Sequence, residues 1–206
     1  MMQRIEREFA GRPLKLETGR LAKLAHGSCL VQFGDTVVLC AVTVDDRPTH
    51  LPFFPLTVEY REKTYAAGKI PGGFFKREGR PAEKEILSAR QIDRPLRPLF
   101  PAGFFYETQI ACTVLSADQE NDADVLGLLG ASVALNLSKI PFQEPVAGVR
   151  IGRIKDNWIL NPTFQQLEYS DLDIVVAGTK DALLMVEGGA VEVPEAEILE
   201  GILIGH

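Results

Sequence analysis

The feature that most constrains the fold is a pair of apolar segments joined by a tight turn. Residues 28–33 and 36–44 flank Gly34-Asp35, a sequence typical of a β-hairpin. The second segment is apolar on both faces, which predicts a central strand rather than a strand with one face in water. The sequence therefore predicts a sheet that other elements must cover.

Further segments indicate what covers that sheet. A first strand or bend is predicted over 14–21, and a second hairpin turns at Lys155-Asp156 between 146–154 and 157–160. Four more strands are predicted at 53–60, 108–116, 172–177 and 183–187. Helices are predicted over 83–94, stopped by Pro95, over 123–137, and from Pro194 onward. This order predicts one α+β domain with mixed sheets and covering helices.

Composition excludes several classes of protein. With 46% apolar residues and a net charge of −6 over 206 residues, the chain is not an intrinsically disordered protein. No apolar run is long enough to span a membrane, and the charged N-terminus is not a secretory signal, so we expect a cytoplasmic protein. The cysteines have no metal-binding spacing, and we expect Cys29, Cys40 and Cys112 to be buried without disulfides.

Positive charge is concentrated in one stretch of this acidic chain. Residues 61–97 contain ten basic and five acidic side chains, although the whole chain has a net charge of −6. A basic stretch in an acidic protein predicts a local anion site. Nucleic acid, a phosphorylated ligand and an acidic partner all remain open at this point.

The centre of that stretch is a long loop over 63–81 that is rich in glycine and proline. It contains Phe74-Phe75 followed by Lys76-Arg77, with Arg80 close behind. Exposed aromatic rings stack on unpaired bases and neighbouring cations bind phosphates, so the spacing is that of a clamp for a single strand. The alternative is a loop folded over the sheet, with both phenylalanines capping the core.

The helix after the loop adds a row of arginines. Arg90 and Arg94 are four residues apart and share one face, and Arg97 continues in the same direction. Guanidinium groups bind phosphate oxygens in pairs, so this row favours a nucleic-acid backbone. The alternative is internal pairing with acidic residues of the same segment, namely Glu83, Glu85 and Asp93.

Several long motifs closely resemble the polynucleotide phosphorylase family. They are the segments 16–19, 53–58, 62–72, 74–81, 92–101 and 175–179. The resemblance covers the whole chain and implies that residues 1–206 form the first RNase PH-like domain, a fold of the ribosomal protein S5 domain 2-like class. It also implies that the chain ends before a helical linker, a second RNase PH-like domain and C-terminal RNA-binding domains.

The resemblance further implies an activity. Such enzymes degrade single-stranded RNA from the 3′ end with inorganic phosphate, release nucleoside diphosphates, and assemble as a homotrimeric ring that can join other RNA-degrading proteins. In the family the loop lines the central channel. Carried over to this chain, the RNA-binding residues are Phe74, Phe75, Lys76, Arg77, Arg80, Arg90, Arg94 and Arg97. The usual loop has two arginines, and Lys76 keeps the charge but not the bidentate geometry.

The catalytic centre of the family does not match this chain. Where catalytic members bind phosphate with a Gly/Ser/Thr-rich turn, residues 118–124 carry four carboxylates. The Asp-x5-Asp-x-Lys pattern falls on Leu167, Asp173 and Val175, so one of its three positions survives. We therefore expect no catalytic residue and no metal ligand here, with Mg²⁺ bound in the missing catalytic domain. The alternative function is a non-enzymatic RNA-binding or ring-scaffold module that works with catalytic partner chains.

Overall fold

A six-stranded sheet forms the first half of the fold. The computed structural model describes residues 2–206. The strands lie in the order β1-β2-β3-β4-β6-β5, and all neighbours are antiparallel except β5 and β6. In chain order they are β1 (Gln3–Phe9), β2 (Arg12–Thr18), β3 (Gly27–Phe33), β4 (Thr36–Pro48), β5 (Leu56–Glu62) and β6 (Tyr106–Ser116).

A four-stranded antiparallel sheet forms the second half, in the order β10-β9-β7-β8. Its strands are β7 (Ala147–Ile154), β8 (Asn157–Leu160), β9 (Leu172–Gly178) and β10 (Leu183–Ala190). The helices are α1 (Glu83–Leu96), α2 (Asp124–Leu137), α3 (Phe164–Leu167) and α4 (Glu195–Gly205). Short 3₁₀ helices cover Thr64–Ala67 and Arg97–Leu99. None of the helices in this described part of the chain could cross a membrane.

Helix α2 lies between the two sheets, where it contacts β3, β4 and β7. It is apolar around most of its circumference, as expected for a helix that is covered on several sides. A Cβ atom on Gly130 would lie 2.5 Å from Cys40 Sγ, so the helix can approach the sheet only because this residue is glycine. The predicted burial of the three cysteines is confirmed.

Both predicted hairpins and the central position of β4 are confirmed. Lys155 and Asp156 have φ values of 50° and 65°, the left-handed conformation that the two central residues of a type I′ turn adopt. The strand β1 was not predicted, because its residues are exposed on both faces and lack an apolar face. A strand start at residue 53 was also wrong, since Phe54 instead packs on Phe100 with ring centroids 4.5 Å apart.

The prediction that Pro95 stops the first helix was wrong by two residues. Helix α1 runs to Leu96, and the Arg97 N–H bonds to the Asp93 carbonyl oxygen beyond it. Pro95 lies in the last turn, so only the carbonyl of residue 91 loses its helical partner. The chain then tightens into the 3₁₀ turn, which directs Arg97 back towards the start of β5.

Candidate functional site

The segment between the first 3₁₀ helix and α1, residues 69–82, is the most exposed apolar part of the candidate site, and we refer to it as the phenylalanine loop. Phe74 is 93% exposed and Phe75 is 81% exposed. Their ring centroids lie 5.4 Å apart at an interplanar angle of 86°, so the two rings meet edge to face. The alternative in which these phenylalanines cap the core is therefore wrong.

Three basic residues follow that aromatic pair in the phenylalanine loop. Lys76, Arg77 and Arg80 are exposed, and within residues 2–206 their side chains form no ion pair or hydrogen bond. Lys76 has a φ of 50°, a left-handed conformation that costs a residue with a Cβ atom about 1–2 kcal/mol. Together with Gly73 at φ 78°, it bends the tip of the loop sharply. The loop thus holds aromatic rings and unpaired positive charges together in solvent.

A groove of about 570 Å³ lies beside the loop, between β5 and α1. Pro81 at the end of the loop lines it, together with four basic side chains, Arg61, Lys63, Arg90 and Arg97. Glu59, Glu85 and Asp93 also line the groove, and among the described residues Arg90 has no ion-pair partner. Arg61 and Lys63 belong to the predicted basic stretch, but no role was assigned to either from the sequence.

The predicted row of three arginines does not form as one unit. The Arg97 guanidinium pairs with Asp93 at 2.7 Å and donates to the carbonyl oxygens of Phe54 and Leu56, each at 3.1 Å. Arg94 turns instead towards the second sheet, where its Nη1 lies 2.9 Å from Glu187 Oε2. The expectation of one common direction is corrected, because two of the three side chains already have internal partners.

These internal pairs differ in how firmly they hold the arginine. Arg94 and Glu187 are nearly half exposed, and a single exposed pair is worth less than about 1 kcal/mol, so a phosphate could replace Glu187 at small loss. Arg97 has four hydrogen bonds and braces the start of β5 against α1. The pairing of Arg97 with Asp93 is the alternative that the sequence had left open.

The acidic turn, residues 118–124 between β6 and α2, is organised by its own carboxylates. Asp118 Oδ1 accepts hydrogen bonds from the backbone N–H groups of Glu120 at 2.9 Å and Asn121 at 2.8 Å. Burial alone would raise the pKa of Asp118, but these bonds outweigh it and lower the pKa to about 2. Two backbone donors that a phosphate-binding turn would offer to its ligand are therefore already used.

Arg150 on β7 fills the space beside this turn. Its guanidinium contacts three carboxylates, those of Asp124 at 2.5 Å, Asp173 at 2.7 Å and Asp122 at 3.4 Å. Although burial opposes the charged form, these carboxylates raise the pKa of Arg150. Lys84 contributes a second cation, 3.3 Å from Asp122 and 3.0 Å from Glu62. The cations of this region thus bind the protein's own acids.

A magnesium ion does not fit these residues. The three carboxylates around Arg150 share one guanidinium, so a divalent cation would have to displace a buried arginine. Within residues 2–206, no cluster of three or more metal-ligating side chains is arranged to hold a metal ion. The other two positions of the catalytic pattern hold apolar residues that cannot bind a metal. They are Leu167 at the end of α3 and Val175, which is buried on β9.

The sequence did not indicate the roles of two cations, Arg150 and Lys84, because their partners come from distant parts of the chain. Arg150 meets acids from the turn and from β9, and nothing near it in the sequence indicates those partners. Lys84 lies one helical turn away from Ser88 in an ordinary charged helix start, and its acidic partners come from two other elements. Only the packing of β5, β7, β9 and α1 around the acidic turn brings these groups together.

Two family models together cover most of the chain. The model for the 3′ exoribonuclease family, domain 1, matches residues 10–141, and the model for domain 2 of that family matches residues 144–206. The boundary between the two matches falls between α2 and β7, where the chain passes from the first sheet to the second.

Curated relatives and solved structures agree with that match. The chain is 66% identical over its whole length to a polyribonucleotide nucleotidyltransferase of Gemmatimonas aurantiaca and 57% identical to one of Heliobacterium modesticaldum. It spans only 28% and 29% of the length of these two proteins. Rice (Oryza sativa) Rrp46 has a similar fold, with a TM-score of 0.75 at 18% identity over 94% of this chain and 87% of that one. An archaeal exosome core chain gives 0.68 at 13% identity over 99% and 81%.

Proposed function

The chain belongs to the 3′ exoribonuclease family, and on that premise we propose that it is the RNA-binding, non-catalytic domain of a phosphorolytic exoribonuclease. The resemblance to the first RNase PH-like domain of polynucleotide phosphorylases is confirmed by the matches to polyribonucleotide nucleotidyltransferases. The longer enzyme shortens single-stranded RNA from the 3′ end with inorganic phosphate and releases nucleoside diphosphates.

One observation carries the binding role, namely the exposed pair Phe74 and Phe75 followed in the same loop by unpaired cations. The two phenylalanines bury little apolar area on folding, so a ligand that covers them gains free energy from their burial. Unpaired bases present flat rings on which phenylalanine stacks, at about 1–3 kcal/mol per base. Lys76, Arg77 and Arg80 are then positioned to bind the phosphates between those bases.

The groove between β5 and α1 extends this surface. Pro81 lines it at the base of the phenylalanine loop, so an RNA strand held by the loop meets the groove next. Arg90 lines the groove without an ion-pair partner. Arg94, which lies outside the groove and faces the second sheet, can exchange an exposed pair for a phosphate contact. Arg97 contributes mainly its charge, because its donors already bind Asp93 and two carbonyl oxygens.

We assign the phosphorolytic reaction to a part of the enzyme outside this chain. The acidic turn has used its backbone donors, and Arg150 neutralises the carboxylates beside it, so neither phosphate nor Mg²⁺ has a site there. Inorganic phosphate and Mg²⁺ would bind in a second RNase PH-like domain of the longer protein. We further propose a cytoplasmic homotrimer whose three phenylalanine loops surround a channel, with other RNA-degrading proteins as partners.

The second candidate is a non-enzymatic RNA-binding or ring-scaffold module that works with catalytic partner chains. It uses the same loop and groove, and the neutralised acidic turn favours it as much as the first candidate. Reading the gene beyond residue 206 separates the two, because only the first requires a catalytic domain in the same polypeptide.

Fluorescence anisotropy with labelled oligo(A) tests the binding role. We expect the chain to bind the single strand at low salt and to bind a duplex RNA of equal length more weakly, because paired bases cannot stack on the phenylalanines. Equal affinity for the two RNAs would indicate that the chain binds RNA through charge alone, without stacking of bases on the phenylalanines. No binding of the single strand at low salt would refute the proposal.

A further inference from the structure

Glu78 is an acidic residue of the phenylalanine loop that directly follows Lys76 and Arg77. We propose that its carboxylate is a clasp that closes the loop on Thr64, and that it acts as a positioning residue for RNA binding. The inference rests on the proposed function, because the position of the loop matters for RNA only if the loop binds it.

Both oxygens of the Glu78 carboxylate bind one residue. Oε1 accepts a hydrogen bond from the Thr64 backbone N–H at 2.9 Å, and Oε2 accepts one from Thr64 Oγ1 at 3.1 Å. Thr64 begins the 3₁₀ helix, and Lys63 before it provides no side-chain cap, so Glu78 takes that part. The backbone hydrogen bond from Thr64 lowers the pKa of Glu78, which keeps the clasp charged.

Thr64 also holds the other limb of the loop. Its carbonyl oxygen accepts a hydrogen bond from the Lys69 N–H at 3.1 Å, after Gly68 has turned the chain at φ 68°. Between these two anchors, residues 70–77 form no hydrogen bond with any described residue. Both limbs of the loop therefore bind Thr64, one through the Lys69 backbone and the other through the Glu78 carboxylate, while the tip between them has no hydrogen bond.

A second tie follows directly after the clasp. Arg61 Nη2 donates to the Gly79 carbonyl oxygen at 3.1 Å, and Arg61 Nε lies 3.4 Å from Glu85 Oε1. Glu85 in turn accepts a hydrogen bond from the Ala82 N–H at 2.6 Å. These contacts fix the start of α1 independently of Glu78. Loss of the clasp should therefore loosen the tip of the loop and leave the rest of the fold intact.

When Glu78 is replaced, the clasp predicts weaker RNA binding, whereas simple charge repulsion predicts stronger RNA binding. Without the clasp, the aromatic pair samples more orientations, and ordering it on RNA weakens binding by about threefold to tenfold. A carboxylate that only repelled phosphates would give the reverse result, because removing it would strengthen RNA binding. The direction of the change thus identifies the role.

The experiment compares Glu78→Ala, Glu78→Gln and Thr64→Val with the control Glu83→Ala. Glu83 is an exposed acid in the first turn of α1, and within residues 2–206 its side chain forms no ion pair or hydrogen bond. Chymotrypsin cleavage after Phe74 and Phe75, which lie at least three residues before the substituted position 78, reports loop order. Oligo(A) anisotropy reports affinity, and thermal unfolding reports the fold. We expect faster cleavage and weaker binding for Glu78→Ala, smaller effects for Glu78→Gln and Thr64→Val, and neither effect for Glu83→Ala.

The outcomes separate the clasp from the proposed function. Unchanged cleavage in Glu78→Ala, or binding as tight as in the wild type, would overturn the clasp. The double variant Phe74→Ala/Phe75→Ala is measured in parallel. If that variant keeps full affinity, the RNA-binding role of the loop fails, while the cleavage rates still decide whether Glu78 orders it.

Discussion

The phenylalanine loop and the acidic turn use positive charge in opposite ways. In the loop, Lys76, Arg77 and Arg80 have no partner among the described residues and stand beside exposed aromatic rings. At the turn, Arg150 is only 13% exposed and contacts three carboxylates. A cation without an internal partner is available to an external anion, whereas a neutralised one holds the fold together. Basic residues alone therefore do not locate a binding surface.

Removal of Arg150 should give the largest effect. Arg150→Met leaves Asp124 and Asp173 without a cation, while Asp122 keeps Lys84, and breaking a buried ion pair in this way costs about 3–5 kcal/mol. Urea unfolding measures the loss. Arg80→Met is the matched control, because Arg80 is exposed and its loss should weaken RNA binding without changing stability. If Arg150→Met unfolds at the same urea concentration as the wild type, Arg150 is not a structural cation.

The double variant Phe74→Ala/Phe75→Ala should show the opposite behaviour. At about 1–3 kcal/mol per stacked base, single-stranded RNA should bind about tenfold more weakly or worse, with little change in base preference. Stability should stay the same because both rings are exposed. Tyr169→Ala removes an aromatic ring that is 76% exposed on the second half of the fold, and it should bind RNA normally. Equal losses in the two variants would remove the special role of the loop.

Arg90 on α1 and Arg97 directly after it test the same difference between unpaired and paired cations. Arg90→Gln should reduce the slope of log affinity against log salt by about 0.7, the value for one lost phosphate contact on a single strand. Arg97→Gln should keep that slope and lower stability by about 1–3 kcal/mol, since it loses two hydrogen bonds to Asp93 and two to backbone carbonyl oxygens. Affinities at several salt concentrations distinguish them. The same slope change in both variants would show that Arg97 leaves Asp93 to bind RNA.

The smallest effect is expected for Lys76→Arg. The charge is unchanged, but a guanidinium can bind a phosphate through two parallel hydrogen bonds, so affinity should rise by about twofold at constant salt slope. Lys180→Arg, a substitution at an exposed site near the end of β9, should have no effect. Unchanged or weaker binding in Lys76→Arg would show that Lys76 points away from the RNA backbone.

Local patterns were sufficient to predict much of the fold. Gly34-Asp35 and Lys155-Asp156 have turn chemistry that defines each hairpin, and the glycines of α2 indicate close helix packing. The strand β1 was not predicted because four of its seven residues are charged and both of its faces meet solvent. Pro95 was misjudged because a proline in the last helical turn disturbs only one backbone bond.

In the candidate site, too, the sequence indicated contacts between neighbouring residues but not contacts between distant ones. The exposure of Phe74 and Phe75 follows from adjacent aromatic residues on a loop with glycine hinges, and Asp93 is a visible partner for Arg97 four residues away. The pair of Arg94 with Glu187 spans half the chain, so no local pattern indicates it. The same is true of Arg150, whose partners converge only when both sheets pack on α2.

A phosphorolysis assay tests the central claim, that this chain binds RNA at one region while the other lacks a phosphate site. The purified chain is incubated with poly(A), inorganic phosphate and Mg²⁺, and ADP is measured alongside RNA binding in the same preparation. Because the acidic turn has used its donors and Arg150 is neutralised, we predict that RNA binds and no ADP forms. A steady yield of ADP that follows the protein through each chromatographic step would contradict the account.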